Sequence, residues 1–315
     1  MLKKAARLLA VLMLLLLAAG CDNNAGAQSG APYYSFTDDA GVVITLKSRP
    51  KKTAVLFSSY ADAYVGAGGN VFITVGESVE RGIVPADTHL VDGGAGKTID
   101  TEALIAYEPD FVICSADIAA QAKAAKLLNS VGIPAAQFHV ESFDNYLNML
   151  KILTDITGNS KAYTDNGLNV KENIDKIIES ANGMPQKRIL FIRSGSGYSS
   201  AKAKRAGDHF ACQMLDELGA YNIADNAPVL LDGLSIEHIL EQNPDYIFIT
   251  TMGDESAARA YMDSVLQQKA WQQLDAVKNQ NYSYLPKDLF QFKPNSRWDE
   301  AYEYLWNILN GDSKS

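Results

Sequence analysis

The stretch that decides the fold occurs twice, as EALIAYEPDFVI from Glu102 to Ile113 and as EHILEQNPDYIF from Glu237 to Phe248. Each copy begins with a glutamate in a short helix-like segment, continues through Pro-Asp, and ends in an apolar run that is typical of a buried strand. One copy lies in each half of the 315-residue chain. The repetition therefore predicts two lobes that are built on the same plan.

Apolar runs alternate with helical patterns on both sides of the two copies. The first half contains TAVLF at Thr53–Phe57 and FVIC at Phe111–Cys114, and the second contains RILFI at Arg188–Ile192 and YIFIT at Tyr246–Thr250. Continuous apolar strands separated by helices are typical of parallel sheets that are covered on both faces. We therefore predict an α/β fold with two Rossmann-like lobes and mostly parallel sheets. A turn signal within Tyr34–Leu46 predicts a β-hairpin near the start.

The segment between the two halves has a helical character. Residues 142–181 contain no strand-like run, and Gly158 is a strong helix breaker within them. The spacing of apolar residues predicts one helix to about Thr157 and a long second helix from Ser160 to about Ser180. A helical connection is rigid, so small movements of the lobes are expected rather than wide ones. The predicted boundaries are a first lobe over residues 32–141, connecting helices over 142–183 and a second lobe over 184–315, with a ligand cleft between the lobes.

The first residues have the pattern of a secretory signal. Met1–Arg7 carries three cations, the twelve residues Leu8–Ala19 are apolar, and Cys21 follows small residues. Twelve residues span about 18 Å as a helix, against about 30 Å of bilayer hydrocarbon, so a permanent transmembrane helix is not expected. We predict a lipoprotein signal peptide over 1–20, lipidation of Cys21 and a polar tether over 21–31, which place the protein outside the cytoplasm on a membrane surface. Ala18 stands where a lipobox usually has a larger residue, so an ordinary secretory signal remains the alternative.

Composition and motifs disfavour several classes of function. The formal net charge of −9 disfavours nucleic-acid binding. The chain has no G-x-S-x-G or H-E-x-x-H motif, and GGAGKT at residues 93–98 lacks the first glycine of a P-loop. We therefore expect no enzymatic activity and no cofactor, although a catalytic triad assembled from distant residues stays open. For Cys114 and Cys212, free buried thiols are favoured over a disulfide between the lobes.

Together, these features resemble the substrate-binding proteins of ABC importers that have a helical backbone and capture ferric siderophores, haem or cobalamin. The resemblance covers about residues 36–309, and its motifs besides the two copies are Val91–Gly94, Gly219–Asn222 and Lys293–Trp298. It implies a monomeric receptor for a metal chelate that works with an ABC permease dimer and a cytoplasmic ATPase. It also implies that Glu102 and Glu237 dock onto arginines of the permease. The alternative is that each glutamate stabilises the first turn of a helix, by about 0.3–1 kcal/mol.

Ligand-binding side chains are expected where the parallel strands end, because ligands of open α/β sheets bind outside the carboxyl ends of the strands. Hydroxyl, aromatic and charged residues follow these ends in both lobes, and this mixture suits a large chelate with anionic edges. The candidates are Ser58, Ser59, Tyr60, Ser115, Asp117, Glu141, Arg193, Ser194, Ser196, Tyr198, Asp208, His209, Phe210, Met252, Asp254, Phe290, Phe292 and Arg297. Arg193 ranks first among the cations, and the glycine-rich loop Ser194–Gly197 is expected to bring backbone N–H groups to the cleft.

Several ligand classes stay open at this point. A ferric siderophore is the leading ligand, with haem and a corrinoid behind it. His139 and His209 are candidate ligands of a bare metal ion or of haem iron, although a lone histidine is more often a hydrogen-bonded structural residue. A secreted α/β hydrolase is the alternative from a different class.

Overall fold

The computed structural model of the chain describes residues 31–92 and 98–311. The residues from Tyr33 onward form one compact unit. The predicted signal peptide, Cys21 and nearly all of the predicted tether lie outside the described residues, as do residues 93–97 of the GGAGKT segment. None of the described helices is long and apolar enough to cross a lipid bilayer.

The first lobe combines a hairpin with a parallel sheet. The hairpin pairs β1 (Tyr34–Thr37) with β2 (Val43–Leu46) in antiparallel orientation. The sheet has the order β5-β4-β3-β6-β7, in which all neighbours are parallel, and its strands are β3 (Thr53–Val55), β4 (Val71–Thr74), β5 (His89–Leu90), β6 (Phe111–Ser115) and β7 (Ala135–Phe138). The helices of this lobe are α1 (Ser58–Gly66), α2 (Gly76–Glu80), α3 (Thr101–Ala106) and α4 (Ala119–Ser130). The strand order reverses between β3 and β6, which makes their carboxyl ends the switch point of this sheet.

The connecting helices follow the sequence prediction closely. Helix α5 (Phe143–Thr157) begins with the N-cap Ser142 and ends at Gly158, which is left-handed with φ of 69°. After Gly158, the chain forms α6 (Ser160–Tyr163), a π turn over Thr164–Leu168 and α7 (Asn169–Ala181). The predicted long second helix is therefore continuous except for the π turn.

The π turn has a local cause. The hydroxyl of Tyr146 donates to the backbone carbonyl of Asn166 at 3.1 Å, and the Asn166 amide donates to the carbonyl of Gly66 at 3.0 Å. These bonds tie the turn to α5 and to the end of α1. A Cβ on Gly167 would lie 2.7 Å from Cδ1 of Leu147 and 3.0 Å from Cδ2 of Leu150, so any side chain there would have to displace these two leucines.

The second lobe repeats the plan of the first. Its sheet has the parallel order β10-β8-β11-β12, with β9 antiparallel to β8 at one side, and the strands are β8 (Arg188–Ser194), β9 (Lys202–Ala203), β10 (Tyr221–Asn222), β11 (Tyr246–Thr251) and β12 (Tyr282–Tyr284). The helices that follow the connecting segment are α8 (Phe210–Glu217), α9 (Ile236–Gln242), α10 (Glu255–Leu266), α11 (Asp275–Lys278), α12 (Lys287–Phe290) and α13 (Trp298–Asn310). The predicted α/β fold with two mostly parallel sheets is confirmed.

The side chains of strand β8 point alternately into two different hydrophobic clusters. On β8, Ile189 and Phe191 pack into a cluster that also contains residues of the first sheet and of the connecting helices, whereas Leu190 and Ile192 pack into a cluster confined to the second lobe. This alternation with a period of two is what a strand buried on both faces requires. Both sheets therefore share one hydrophobic cluster that runs through the connecting helices.

The segment 291–297 returns from the second lobe to the first. The Asn295 amide donates to the carbonyl of Ser59 and to a carboxylate oxygen of Asp62, each at 2.7 Å, and both acceptors belong to α1. Helix α13 then packs against α7. Cys114 and Cys212 are free and buried, as favoured from the sequence.

The close approach at Gly167 generates a prediction about stability. Gly167→Ala should lower the free energy of unfolding by about 1–3 kcal/mol, because the added methyl group would overlap the two leucines of α5. Urea unfolding of both proteins measures the difference. Gly197→Ala is a matched control, since a Cβ at Gly197 would meet no atom within 4 Å. Equal stability of the two variants would contradict the close packing.

Candidate ligand-binding cleft

The switch point of the second sheet opens into a cavity of about 150 Å³. Strands β8 and β11 are neighbours in the sheet, and their carboxyl ends supply Arg193, Thr250 and Thr251 to its lining. The remaining lining residues come from the loop before α8 and its start, from segment 291–297 and from the end of the first lobe: Asp208, His209, Phe210, Gln291, Lys293 and Glu141. The cavity therefore lies between the lobes, where the sequence predicted a ligand cleft.

An ion pair in this cavity joins the two lobes. The ammonium of Lys293 lies 2.8 Å from a carboxylate oxygen of Glu141, and the Lys293 side chain is 12% exposed. The same ammonium lies 4.8 Å from the centre of the Phe210 ring, within the range of a cation–π contact. The backbone N–H of Lys293 donates to the hydroxyl of Ser59 at 3.2 Å. A charge held at this depth needs its partner, because an unpaired buried charge is strongly destabilising.

His209 is held in its neutral form. Its Nδ1 accepts a hydrogen bond from the backbone N–H of Ala211 at 3.2 Å, and the ring also bonds to the backbone carbonyl of Phe290. Burial, followed by the nearby positive charges of Lys293 and Arg193, lowers the pKa of His209 to about 3. A ring nitrogen of His209 could ligate a metal only by giving up one of these bonds.

One hydrogen-bond acceptor in the cavity is free. The side-chain oxygen of Gln291 is buried and has no partner among the described residues. An unsatisfied buried acceptor is rare and costs about 1–3 kcal/mol. A ligand with an N–H or O–H group at this place would satisfy it.

A second, partly buried cation lies near the switch point of the first lobe. A guanidinium nitrogen of Arg81 donates to the hydroxyl of Ser58 at 3.0 Å, and Ser58 in turn donates to Glu77. The Arg81 guanidinium stacks over the Phe292 ring at 3.9 Å from the ring centre. Burial lowers the pKa of Arg81, and the neighbouring carboxylates, with Asp62 first, oppose this effect. Ser58 and Phe292 therefore position an arginine that the sequence analysis did not single out.

The first lobe contributes negative charge to this region. Burial raises the pKa of Tyr60, and the carboxylates of Asp117, Glu141 and Asp39 raise it further. Nδ1 of His139 lies 2.6 Å from a carboxylate oxygen of Asp117 and both side chains are partly exposed. The charges nearest to His209, by contrast, are positive. Both signs of charge therefore occur around the cleft: Glu141 and Asp208 line the cavity together with Arg193 and Lys293.

Some predicted ligand residues do line the cavity, namely Arg193, Asp208, His209, Phe210 and Glu141. Several others are buried in internal contacts, because they begin a helix or end a strand with the side chain turned into the lobe. These are Ser58, Ser59, Tyr60, Ser115, Ser194 and Phe290. The Tyr60 hydroxyl, for example, donates to the carbonyl of Phe138 at 3.0 Å.

Four more predicted residues are placed elsewhere. Arg297 forms ion pairs with Asp288 and Glu300, each at 2.8 Å, so its guanidinium is already engaged on the surface. Ser196, Met252 and Asp254 are exposed and do not belong to the lining of the cavity.

The glycine-rich loop closes on itself instead of facing the cleft. The N–H of Gly195 donates to the carbonyl of Ser200 at 3.0 Å, and the N–H of Gly197 donates to the Ser200 hydroxyl at 3.2 Å. A Cβ on Gly195 would lie 2.7 Å from Cβ of Ser200, so glycine permits this closure. The prediction that the loop offers N–H groups to the cleft was wrong. Tyr198, at its tip, lines a different cavity.

Sequence reasoning missed Lys293, Gln291, Thr250 and Thr251. The threonines end strand YIFIT, so the rule about carboxyl ends of strands could have found them. Lys293 lies in the motif Lys293–Trp298, but its place in the cavity, like that of Gln291, depends on how segment 291–297 returns to the first lobe. Among the described residues, no group of three or more His, Cys, Asp or Glu side chains could hold a metal ion.

Glu102 and Glu237 occupy equivalent places in the two lobes. Each lies in the first turn of the short helix that precedes a central strand, α3 before β6 and α9 before β11, and each is exposed. Neither lines the cleft cavity.

A family model described as periplasmic binding protein matches residues 53–289 of the chain, from β3 to α12. The chain belongs to this family. The matched region includes both sheets and the connecting helices, and the family is one of substrate-binding proteins. Among curated proteins, a sequence search found no match.

Solved structures share the fold of this periplasmic binding protein at low sequence identity. Staphylococcus aureus SirA complexed with staphyloferrin B has 17% identity and a TM-score of 0.68, over 88% of this chain and 98% of SirA. A possible iron-binding protein from Staphylococcus epidermidis has 20% identity and a TM-score of 0.65, over 83% of this chain and 99% of that one. A variant of the heme binding protein HmuT has 18% identity and a TM-score of 0.66, over 88% of this chain and 90% of that one. These likenesses show the fold.

The state of His209 predicts how stability depends on pH. Its pKa is about 3 in the folded protein, whereas an unfolded histidine takes up a proton below about pH 6.5. Since the unfolded state binds the additional proton, stability falls as the pH falls from about 6.5 towards 3, by up to about 1.4 kcal/mol per pH unit.

His209→Gln removes this contribution, so its free energy of unfolding should fall less steeply with acidification than that of the wild type. Urea unfolding at several pH values between about 4 and 7 measures the slope, because most of the interval between the folded and unfolded pKa values of His209 lies in this range. His238→Gln is the control, because it removes a histidine that is exposed. A wild-type slope in His209→Gln would contradict the neutral buried state.

Proposed function

We propose that the protein is a solute-binding receptor of an ABC importer and that it captures an anionic metal chelate, with a ferric siderophore as the leading ligand. The observation that carries this proposal is that two cations, Arg193 and Lys293, line the same cavity. Thr250 and Thr251 line it as well. Guanidinium and ammonium groups form the strong, charge-assisted hydrogen bonds that carboxylate and catecholate oxygens accept. Membership of the periplasmic binding protein family and the likeness to SirA support the same class of ligand.

Three observations favour a chelate over the other metal-containing ligands. The cavity of about 150 Å³ is smaller than the roughly 300–1,000 Å³ that encloses a drug-sized ligand, so a large ligand would enter it with one charged edge. The ring nitrogens of His209 are engaged, which disfavours its use as a haem ligand. A bare-ion site would need clustered ligands, and the described residues hold no such cluster.

The proposal includes the anchor and the partners. Cys21 would carry the lipid, residues 21–31 would form the tether, and the lobes over 32–141 and 184–315 would hold the chelate between them as a monomer. The mass of the mature N-terminus tests the anchor, since an unmodified Cys21 would exclude it. Glu102 and Glu237 would dock onto a permease dimer that a cytoplasmic ATPase drives. The receptor itself would do no chemistry on its ligand.

The central test concerns Arg193. Arg193→Gln should weaken binding of an anionic ferric chelate by about ten- to a hundredfold, the value of a hydrogen bond to a charged group. Ferric citrate and ferrioxamine B, which differ in charge, serve as probes next to haemin, and quenching of tryptophan fluorescence reports binding. The visible spectrum of the material that co-purifies from the native host identifies the class of ligand independently.

Arg297→Gln is the matched control, because its guanidinium is engaged by Asp288 and Glu300 outside the cavity. It should bind each probe as the wild type does. Equal binding by Arg193→Gln and the wild type, or a preference for the cationic ferrioxamine B, would contradict the proposed anionic site.

Docking gives a separate prediction. The double variant Glu102→Ala, Glu237→Ala should bind ligand normally, since neither carboxylate lines the cavity, but should lose most ligand uptake by cells at limiting amounts of receptor. Each single variant should lose less, because one lobe would still dock. Glu179→Ala, which removes an exposed glutamate of α7, is the control. Normal uptake by the double variant would mean that the two glutamates merely stabilise their helices.

A further inference from the structure

The two cations of the cleft cavity are held in different states. Arg193 is an exposed residue near the end of β8, and no carboxylate among the described residues forms an ion pair with it. Lys293 has a side chain that is 12% exposed, and its ammonium lies 2.8 Å from a carboxylate oxygen of Glu141. One cation is therefore open to a ligand, while the other is already paired with an anion of the protein itself.

Both cations act on the same part of the cavity. Each of them lines it, and the positive charges of Lys293 and Arg193 both contribute to the low pKa of His209. Because burial keeps this imidazole neutral, it adds no third positive charge beside them. A ligand that meets Arg193 with one anionic group can therefore meet Lys293 with a second.

The two partners of the ion pair differ in their freedom to leave it. The backbone N–H of Lys293 donates to the Ser59 hydroxyl at 3.2 Å, and the Asn295 amide donates to the Ser59 carbonyl at 2.7 Å, so the lysine is fixed to the first lobe. The Glu141 side chain is 32% exposed, and among the described residues its carboxylate has the Lys293 ammonium as its only hydrogen-bond partner. A rotation would return this carboxylate to water, whereas the ammonium would stay buried and need another anion.

The second carboxylate of the cavity is engaged differently. Asp208 lies 3.4 Å from the guanidinium of Arg205, and within the described part of the chain it forms no ion pair with either cation of the cavity. Glu141 is thus the carboxylate that covers a cation which a ligand could use.

We infer that Glu141 is a specificity-determining residue, a built-in competitor that makes the cavity select ligands with two or more carboxylates. Its carboxylate holds the place on Lys293 that a ligand carboxylate takes. A ligand with one carboxylate binds Arg193 and leaves the ion pair intact. A ligand with several, once bound at Arg193, presents the next carboxylate to Lys293 at the high effective concentration of an intramolecular contact and displaces Glu141.

The competitor gives the cavity a selectivity that two open cations would lack. Guanidinium and ammonium groups form charge-assisted hydrogen bonds with any small carboxylate or phosphate. Glu141 keeps one of the two cations covered until an anion that already holds the other arrives. That the selected polycarboxylate is part of a metal chelate rests on the proposed function, whereas the competition itself rests on the ion pair and the cavity.

The test uses the full chain and tricarballylate, a tricarboxylate that is studied without metal, in calorimetric titrations at constant ionic strength. Glu141→Gln should raise the affinity about three- to tenfold, because the competing charge is lost while the shape is kept. Glu141→Asp keeps the charge but withdraws it from Lys293, and it should raise the affinity by less. Glu179→Gln, which removes an exposed glutamate of α7, is the control for net charge and should bind as the wild type does.

Dependence on Lys293 separates competition from a general effect of charge. Lys293→Gln should weaken tricarballylate binding, and in its background Glu141→Gln should change the affinity by less than about twofold. Acetate can engage only one cation, so Glu141→Gln should also change its affinity by less than about twofold. NMR shifts of the His209 ring protons report that binding occurs in the cavity which this residue lines.

An unchanged or lower affinity of folded Glu141→Gln for tricarballylate would overturn the competitor, and so would an equal gain in the Lys293→Gln background. If urea unfolding shows that Glu141→Gln does not fold, Glu141→Asp decides by the same criterion. An equal gain for acetate would overturn the selection of several carboxylates.

The two proposals can fail separately. A chain that shows these effects with tricarballylate but binds no ferric chelate would refute the proposed function and leave the role of Glu141 intact. A chain that binds ferric citrate but shows no gain in Glu141→Gln would do the reverse.

Discussion

The hydrophobic cluster that runs from the first sheet through the connecting helices into the second sheet is the constraint on which the rest of the structure depends. Phe111 and Ile113 enter it from one lobe, Ile189 and Phe191 from the other, and Tyr146 and Leu150 from α5. Each fully buried side chain of this kind contributes about 1.5–3 kcal/mol relative to exposure. Swinging the lobes apart would open part of this cluster to water. The lobes are therefore held in one arrangement, and side chains on segment 291–297 can meet side chains of the first lobe.

This arrangement explains why the candidate cleft contains both signs of charge. Lys293 reaches Glu141 because Asn295 fixes its segment to α1, and Arg193 stands at the end of a central strand of the other sheet. An anion that enters must compete with Glu141 for Lys293, since both would accept from the same ammonium. Arg193 has no such internal competitor among the described residues and is the freer of the two cations. The first contact of an anionic ligand is therefore expected at Arg193.

Much of the fold follows from local sequence, and part of the site does not. The parallel strands could be predicted from continuous apolar runs such as RILFI, because strands of sheets that are covered on both faces are apolar throughout. The end of α5 could be predicted from Gly158, because glycine adopts the left-handed conformation found there most easily. Arg193 was found because it directly follows the apolar run RILFI, at the carboxyl end of β8. Lys293 was missed because its neighbours Ser59 and Glu141 are distant in sequence, 234 and 152 residues away. Tyr60 was misplaced because the sequence does not tell which face of α1 turns inward.

The two copies of the Glu…Pro-Asp stretch acquire different surroundings although they fold alike. In both lobes the glutamate stands in the first turn of a short helix, and the Pro-Asp segment leads into a central strand. The loop that carries Tyr198, however, is inserted between β8 and β9 of the second sheet, and the first sheet has no strand that corresponds to β9 among the described residues. Tyr198, which lines one cavity together with Glu237, therefore belongs to an addition to the common plan.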